Sequence, residues 1–335
     1  MSTHYFDSPG EVCPINGDVS EFFEATLTDN LTFDANYVKY QIQTPSTLTR
    51  TLDYYMSTKR VTDILSEDHI TNFKRDNLIC EKVDMEMRDG TLVPVVMVYD
   101  KRFYTEESPW VLFTRGIDSE KADLTLSPHR LSLTDRGIVC AYPLIRGTHY
   151  FDTDWLLSGA GERKATHFND LIDSAIFIKE NELAAKVAIH APNSSGSLTA
   201  LVSAFKEPYL FEGVAVHNPL TDISSHLLND VARRLSTSSK LALQVEKVKL
   251  AKQMEFGNVA ADREAYERVL RYSPYHMPLE IEKNRPISDL LLTCDEEWPY
   301  KYHARKLICK VRETSVMDPM FAFYHEYPAQ MYSEE

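Results

Sequence analysis

The stretch Val187-Ala188-Ile189-His190-Ala191-Pro192-Asn193-Ser194-Ser195-Gly196-Ser197-Leu198 sets the reading of the whole chain. Residues 187–190 are a short apolar run of the kind that forms a buried strand. Pro192-Asn193 ends it, and over 196–205 the apolar residues recur at helical spacing. Strand, sharp turn, helix is the unit of a parallel sheet, because parallel neighbours need a long crossover between them. The alternation continues outward in both directions. Strand candidates lie at 110–114 and 138–143 upstream and at 214–217, 289–293 and 320–324 downstream. Helix candidates at 127–135, 167–180 and 302–313 fall between them. This pattern predicts an α/β fold: a mostly parallel sheet with helices on both faces. A hairpin over 80–87 and 93–99, turned by Asp89-Gly90, precedes it. Earlier still, 37–65 reads as short antiparallel strands, and 1–36 reads as an irregular lead-in. The organisation expected is therefore 1–36, a short β segment over 37–75, and an α/β domain over 76–335.

Composition bounds the function. The chain has 335 residues, 43% hydrophobic and 26% charged, which suits a globular protein with a full core. Lys+Arg 36 against Asp+Glu 50 gives a net charge of -14, which argues against direct binding to nucleic acid or anionic lipid. The longest apolar runs fall far short of the ~18 residues of a membrane helix, so no membrane insertion is expected. Five cysteines without a CxxC pair point to reduced thiols in an intracellular compartment, the cytoplasm first. The residues before position 36 carry scattered acids and have the pattern of neither a signal nor a transit peptide. The eleven histidines are dispersed, and the metalloprotease, P-loop, dinucleotide and EF-hand motifs are absent, so no metal and no cofactor is expected.

The turn after the 187–190 strand is where an α/β enzyme of the hydrolase type carries G-x-S-x-G, a strained turn that lifts a serine hydroxyl above the sheet. Here the five residues read Pro192-Asn193-Ser194-Ser195-Gly196, so a proline replaces one glycine. Only 11 glycines occur in the chain, about half the usual share of ~7%.

Seven further stretches occur in a telling order. They are Arg88-Asp89-Gly90-Thr91-Leu92-Val93-Pro94, Arg130-Leu131-Ser132-Leu133-Thr134-Asp135-Arg136-Gly137, Arg146-Gly147 with Asp154-Trp155, and Phe168-Asn169-Asp170. Pro208-Tyr209-Leu210-Phe211, Phe256-Gly257-Asn258 and Tyr272-Ser273-Pro274-Tyr275-His276 follow. In these stretches the chain resembles the prolyl oligopeptidase family, its C-terminal catalytic part, and most closely the oligopeptidase B branch. The resemblance implies an α/β-hydrolase fold, preceded here by a short antiparallel segment that resembles a remnant propeller blade. It further implies that the C-terminus lacks the family's closing helix.

The resemblance also places the family's catalytic positions. Counting back from Pro208 puts the nucleophile on Ser194, whereas counting from the preceding strand puts it on Asn193. The acid falls on Asp295, the histidine position on Gln330 or Met331, and the oxyanion tyrosine on Arg115. Neither Gln nor Met takes a proton from serine, and an unactivated hydroxyl is a poor nucleophile. The plainer reading of Ser194 is a helix cap, and of Asp295 a strand-end turn residue. The function this implies is a catalytically inactive relative that serves as a structural or protein-binding subunit of a larger assembly. Alternatives are a residual serine hydrolase using Ser194 with His325 or His149 as base, or a regulator that pairs with an active paralogue. Interaction candidates are the helix over 238–254, which has two apolar stripes, and the aromatic C-terminal tail over 320–332.

Overall fold

The computed structural model describes residues 24–29, 32, 34–66, 77–116, 126–228, 249–277, 288–295, 301–314 and 322–327. Strands β1 (Glu24–Leu27), β2 (Tyr37–Thr44), β3 (Thr47–Tyr55) and β4 (Arg60–Ser66) form a four-stranded sheet in that order. The pairings β1–β2, β2–β3 and β3–β4 are all antiparallel. Alternation along β2 and β3 sorts the faces. Tyr40, Ile42, Leu52 and Tyr54 form one buried cluster with Met56 and Val61 against it. On the other face Gln41 Nε2 donates to Thr51 Oγ1 and Gln43 Nε2 to Thr49 Oγ1. β1 lies within the stretch read as an irregular lead-in. Four residues carry too short a pattern to announce a strand, and the pairing of Leu27 with Tyr40 is what defines it.

The second sheet has eight strands, in the order β12-β11-β10-β9-β7-β8-β6-β5. Its members are β5 (Leu78–Glu86), β6 (Leu92–Asp100), β7 (Trp110–Phe113), β8 (Val139–Pro143), β9 (Val187–Ala191), β10 (Gly213–His217), β11 (Asp289–Asp295) and β12 (Ala322–Tyr327). From β7 through β9, β10 and β11 to β12 every neighbouring pair is parallel. Of the expected 320–324 strand, residues 322–324 are described and lie in β12, which runs on to Tyr327; residues 320–321 lie outside the described residues. Pairing with β11 carries the strand past its expected end until Tyr327 lies opposite Asp295.

The helices are α1 (Pro128–Thr134), α2 (Thr153–Leu157), α3 (Lys164–Glu180), α4 (Ser194–Lys206), α5 (Ile223–Leu228), α6 over 249–256, α7 (Arg263–Tyr272) and α8 (Lys301–Thr314). Of the helix expected over 238–254, residues 249–254 are described and helical, and the rest lies outside the described residues. Two compact units share the chain. One is Met1–Glu81, Met97–Thr105 and Asp123–Cys140; the other is Lys82–Val96, Glu106–Ala122 and Ala141–Glu335. In the second, Phe168, Leu198, Val202, Ile223, Phe256, Val269 and Tyr272 make a core between helices. Lys164, 1% exposed, is buried beside it and pairs with Glu255 at 2.6 Å.

Candidate active site at the strand–helix turn

The chain leaves β7 for β8 on one side of it and returns to β9 on the other. The carboxyl ends of the strands flanking such a reversal are where open α/β sheets place their sites. The residues that follow β7 and β9 do meet there. A Cβ on Gly196 would collide with the Thr114 carbonyl, and one on Gly116 would lie 2.6 Å from the Ser195 carbonyl oxygen. Glycine at both places lets the Thr114-Arg115-Gly116 backbone cross the first turn of α4. Thr114 N donates to the His190 carbonyl at 3.0 Å and fixes the crossing. Arg115, half-buried, thus stands beside the turn.

The turn is relaxed. Asn193 is the N-cap of α4, with φ -144 and ψ 168, an ordinary extended conformation. Its Oδ1 accepts from Gly196 N at 2.9 Å and from Ser195 Oγ at 3.2 Å. Ser194 is the first helical residue, and its carbonyl accepts from Ser197 Oγ. Among the described residues, positive φ off glycine occurs at Lys59, Glu182 and Asn218, and not between 191 and 196. Pro192 contributes to this outcome, since proline holds its own φ near -65° and biases Ala191 before it to extended backbone. Asparagine at the cap then satisfies helix donors that a strained elbow leaves open. Asn193 thus lies in the turn and Ser194 opens the helix.

Asp295 ends β11, two strands from β9 in the sheet, and it is firmly held. Asn218 Nδ2 donates to Asp295 Oδ2 at 2.7 Å, and Asp295 N donates to Asn218 Oδ1 at 2.9 Å. Asn218 N donates to the Thr293 carbonyl at 2.8 Å. These bonds fix Asn218 at φ 50, a left-handed conformation that asparagine tolerates better than most residues. His217 Nε2 lies 3.3 Å from Asp295 Oδ2, and its Nδ1 lies 2.9 Å from Thr293 Oγ1. A carboxylate only accepts, so Nε2 carries the proton. Thr293 Oγ1 also donates to the Val216 carbonyl at 3.3 Å. Both ring nitrogens are engaged. Sequence reasoning missed His217, Asn218 and Thr293, whose signal was faint: polar residues ending two adjacent strands, with His217 opposite Thr293 in register.

His325 is exposed on β12, opposite Thr293 in the β11–β12 register. His149 is exposed in the loop before α2. Gln330 and Met331 lie outside the described residues. Two buried histidines are structural. His167 Nδ1 donates to the Arg146 carbonyl and its Nε2 accepts from Thr199 Oγ1, each at 2.7 Å. His303 Nδ1 accepts from Thr221 N and Asp222 N, and burial pulls its pKa down to about 4. Among the described residues no group of three His, Cys, Asp or Glu side chains is placed to hold a metal ion.

This strand order, reversing at β7 and β9 beneath a strand–helix turn, is that of an α/β-hydrolase domain. Within that class, residues 125–294 match the prolyl oligopeptidase family, and the chain belongs to this family. A dipeptidyl aminopeptidase BI from Pseudoxanthomonas mexicana is 27% identical over 215 residues, 63% of this chain and 28% of that protein. A dual function macrocyclase-peptidase from Galerina marginata is 30% identical over 177 residues, 52% of this chain and 24% of that protein. The chain thus spans about a quarter of the length of these curated relatives. The structure of oligopeptidase B from Leishmania major superposes with a TM-score of 0.78 at 19% identity, covering 93% of this chain and 41% of that one.

Proposed function

We propose that this chain is a catalytically silent member of the family that acts as a protein-binding subunit. The observation that carries this reading is the relaxed turn: Asn193 occupies the strand–helix junction as an ordinary cap. A serine one residue later, inside the helix, lacks the raised position that exposes a nucleophile. His217, at the end of the neighbouring strand β10, is engaged through both ring nitrogens by Thr293 and Asp295. Arg115 puts a cation where the family's resemblance places a neutral hydroxyl donor. Loss of one triad member costs several orders of magnitude in rate, and a lost oxyanion donor about 10²–10³ more. In support of binding, α6 leaves Leu250 64% and Met254 41% exposed, one helical turn apart.

The relatives are named as peptidases, so the competing reading is residual hydrolysis through Ser194 with His325 or His149 as base. A fluorophosphonate probe separates the two. The silent reading expects no labelling above that of heat-denatured protein. Labelling that disappears in Ser194→Ala would establish an activated serine and overturn it.

A further inference from the structure

The loop between β8 and α2 carries a surface whose build is not explained by folding alone. Tyr150, Phe151 and Trp155 form a ladder of edge-to-face rings, with centroids 4.8 Å apart for Tyr150–Phe151 and 5.0 Å for Phe151–Trp155. Phe151 leaves 49% of its surface in solvent, in a chain that buries Phe168 and Trp110 almost completely. The ladder is rigidly mounted. Trp155 Nε1 donates to the Leu144 and Ile145 carbonyls at 3.1 Å each. Gly147 N donates to the Trp155 carbonyl at 2.9 Å, and Asp152 Oδ1 accepts from Trp155 N at 2.8 Å. Below, Arg146 is fixed by Asp170 at 2.6 Å and by Asp89 at 2.6 Å. These bonds hold Trp155, and Phe151 packs edge-to-face on its ring, which lowers the conformational cost of using the exposed ring in binding.

Charge selects the occupant. Asp152 and Asp154, both exposed, follow Phe151 in sequence, and the chain as a whole carries -14. An apolar partner would have to strip water from those carboxylates without replacing it, which is unfavourable. A guanidinium or ammonium group satisfies both features, stacking on the ring and pairing with the acids. We infer that the Tyr150–Phe151–Trp155 ladder with Asp152 and Asp154 is a docking surface for an arginine- or lysine-bearing segment of a protein partner. This names the chemistry of a partner for the binding role proposed above. It uses residues apart in sequence from the 193–196 turn, and binding is read without any turnover, so either reading can fail alone.

The test is fluorescence anisotropy of a fluorescein-labelled octapeptide of alternating Arg and Gly, titrated with the full chain at low salt. Peptides with Glu or Pro in place of Arg serve as comparisons. The Arg peptide binds, the others do not, and Phe151→Ala weakens binding about tenfold. Phe151→Leu keeps apolar bulk but removes the π face, and weakens binding about three- to fivefold. Asp154→Asn, which leaves the Asp152 cap in place, weakens binding and reduces its salt dependence. Circular dichroism and the thermal midpoint confirm that each variant is folded. Equal binding by wild type and both Phe151 variants would mean attraction by net charge alone and would overturn the inference. So would absence of binding, or a preference for the Pro peptide.

Discussion

Asn193 and His303 show how single side chains trade chemical reactivity for stability. Asn193 Oδ1 satisfies Gly196 N, a helix-terminal donor, so Asn193→Ala should lower stability by about 1 kcal/mol, with Asn193→Ser or Asn193→Asp nearly neutral. Urea unfolding checks this. His303 is fully buried and uses its Nδ1 lone pair to cap Thr221 and Asp222, so its protonation is resisted. Its folded pKa of about 4 lies below the usual 6.5, so the unfolded chain takes up the proton first. The stabilisation is therefore complete above about pH 6.5 and is lost as pH falls toward 4; between pH 7 and pH 5 it shrinks by about 2 kcal/mol. His167, also held well below its ordinary value by burial, acts in the same direction. A His303→Gln variant should flatten the pH dependence of the urea midpoint; an unchanged profile would remove His303 as its source. At this scale the sequence was half legible. It located the turn but left Asn193 and Ser194 unresolved, because a one-residue register depends on where the helix dipole is capped. Nothing local in the sequence marked Asn218 as the left-handed clamp on Asp295.

Elements were more legible than residues, and their exceptions share a cause. The strands β7, β8, β9 and β10 and the helices α3 and α4 follow from apolar periodicity, because each buries a whole face. α3 starts earlier than the expected 167–180, because Lys164 is buried through its ion pair with Glu255 and not through apolar character. β1 and the end of β12 are defined by their partners in the sheet. The Lys164–Glu255 pair ties α3 to α6, flanked by Phe168 and Phe256 at 5.7 and 5.4 Å from Nζ. Removing one member leaves a buried charge alone. Glu255→Gln is thus expected to cost about 3–5 kcal/mol in chemical unfolding, whereas Lys164→Met with Glu255→Leu together should recover most of the loss. A double variant no better than the single one would show that the pair is favourable beyond mutual compensation.

For the whole molecule, the order of short matching stretches carried the family reading, and the sheet topology and the match over residues 125–294 agree with it. What the sequence did not disclose was how Asp295 is held, since Asp295, Asn218, His217 and Thr293 are brought together only by parallel pairing of β10 with β11. Their side chains form one hydrogen-bonded cluster at the ends of the two strands. The central claim, that this cluster and the relaxed Asn193 turn leave no working hydrolase, is tested most directly by peptide turnover. The purified chain is incubated with fluorogenic peptides carrying Arg or Pro before the reporter group, alongside Ser194→Ala and Gln330→His. The account predicts release no faster than the buffer blank for all three proteins, because a histidine at 330 repairs neither the turn at Pro192-Asn193 nor the cation at Arg115. Turnover by the unmodified chain that vanishes in Ser194→Ala would contradict it.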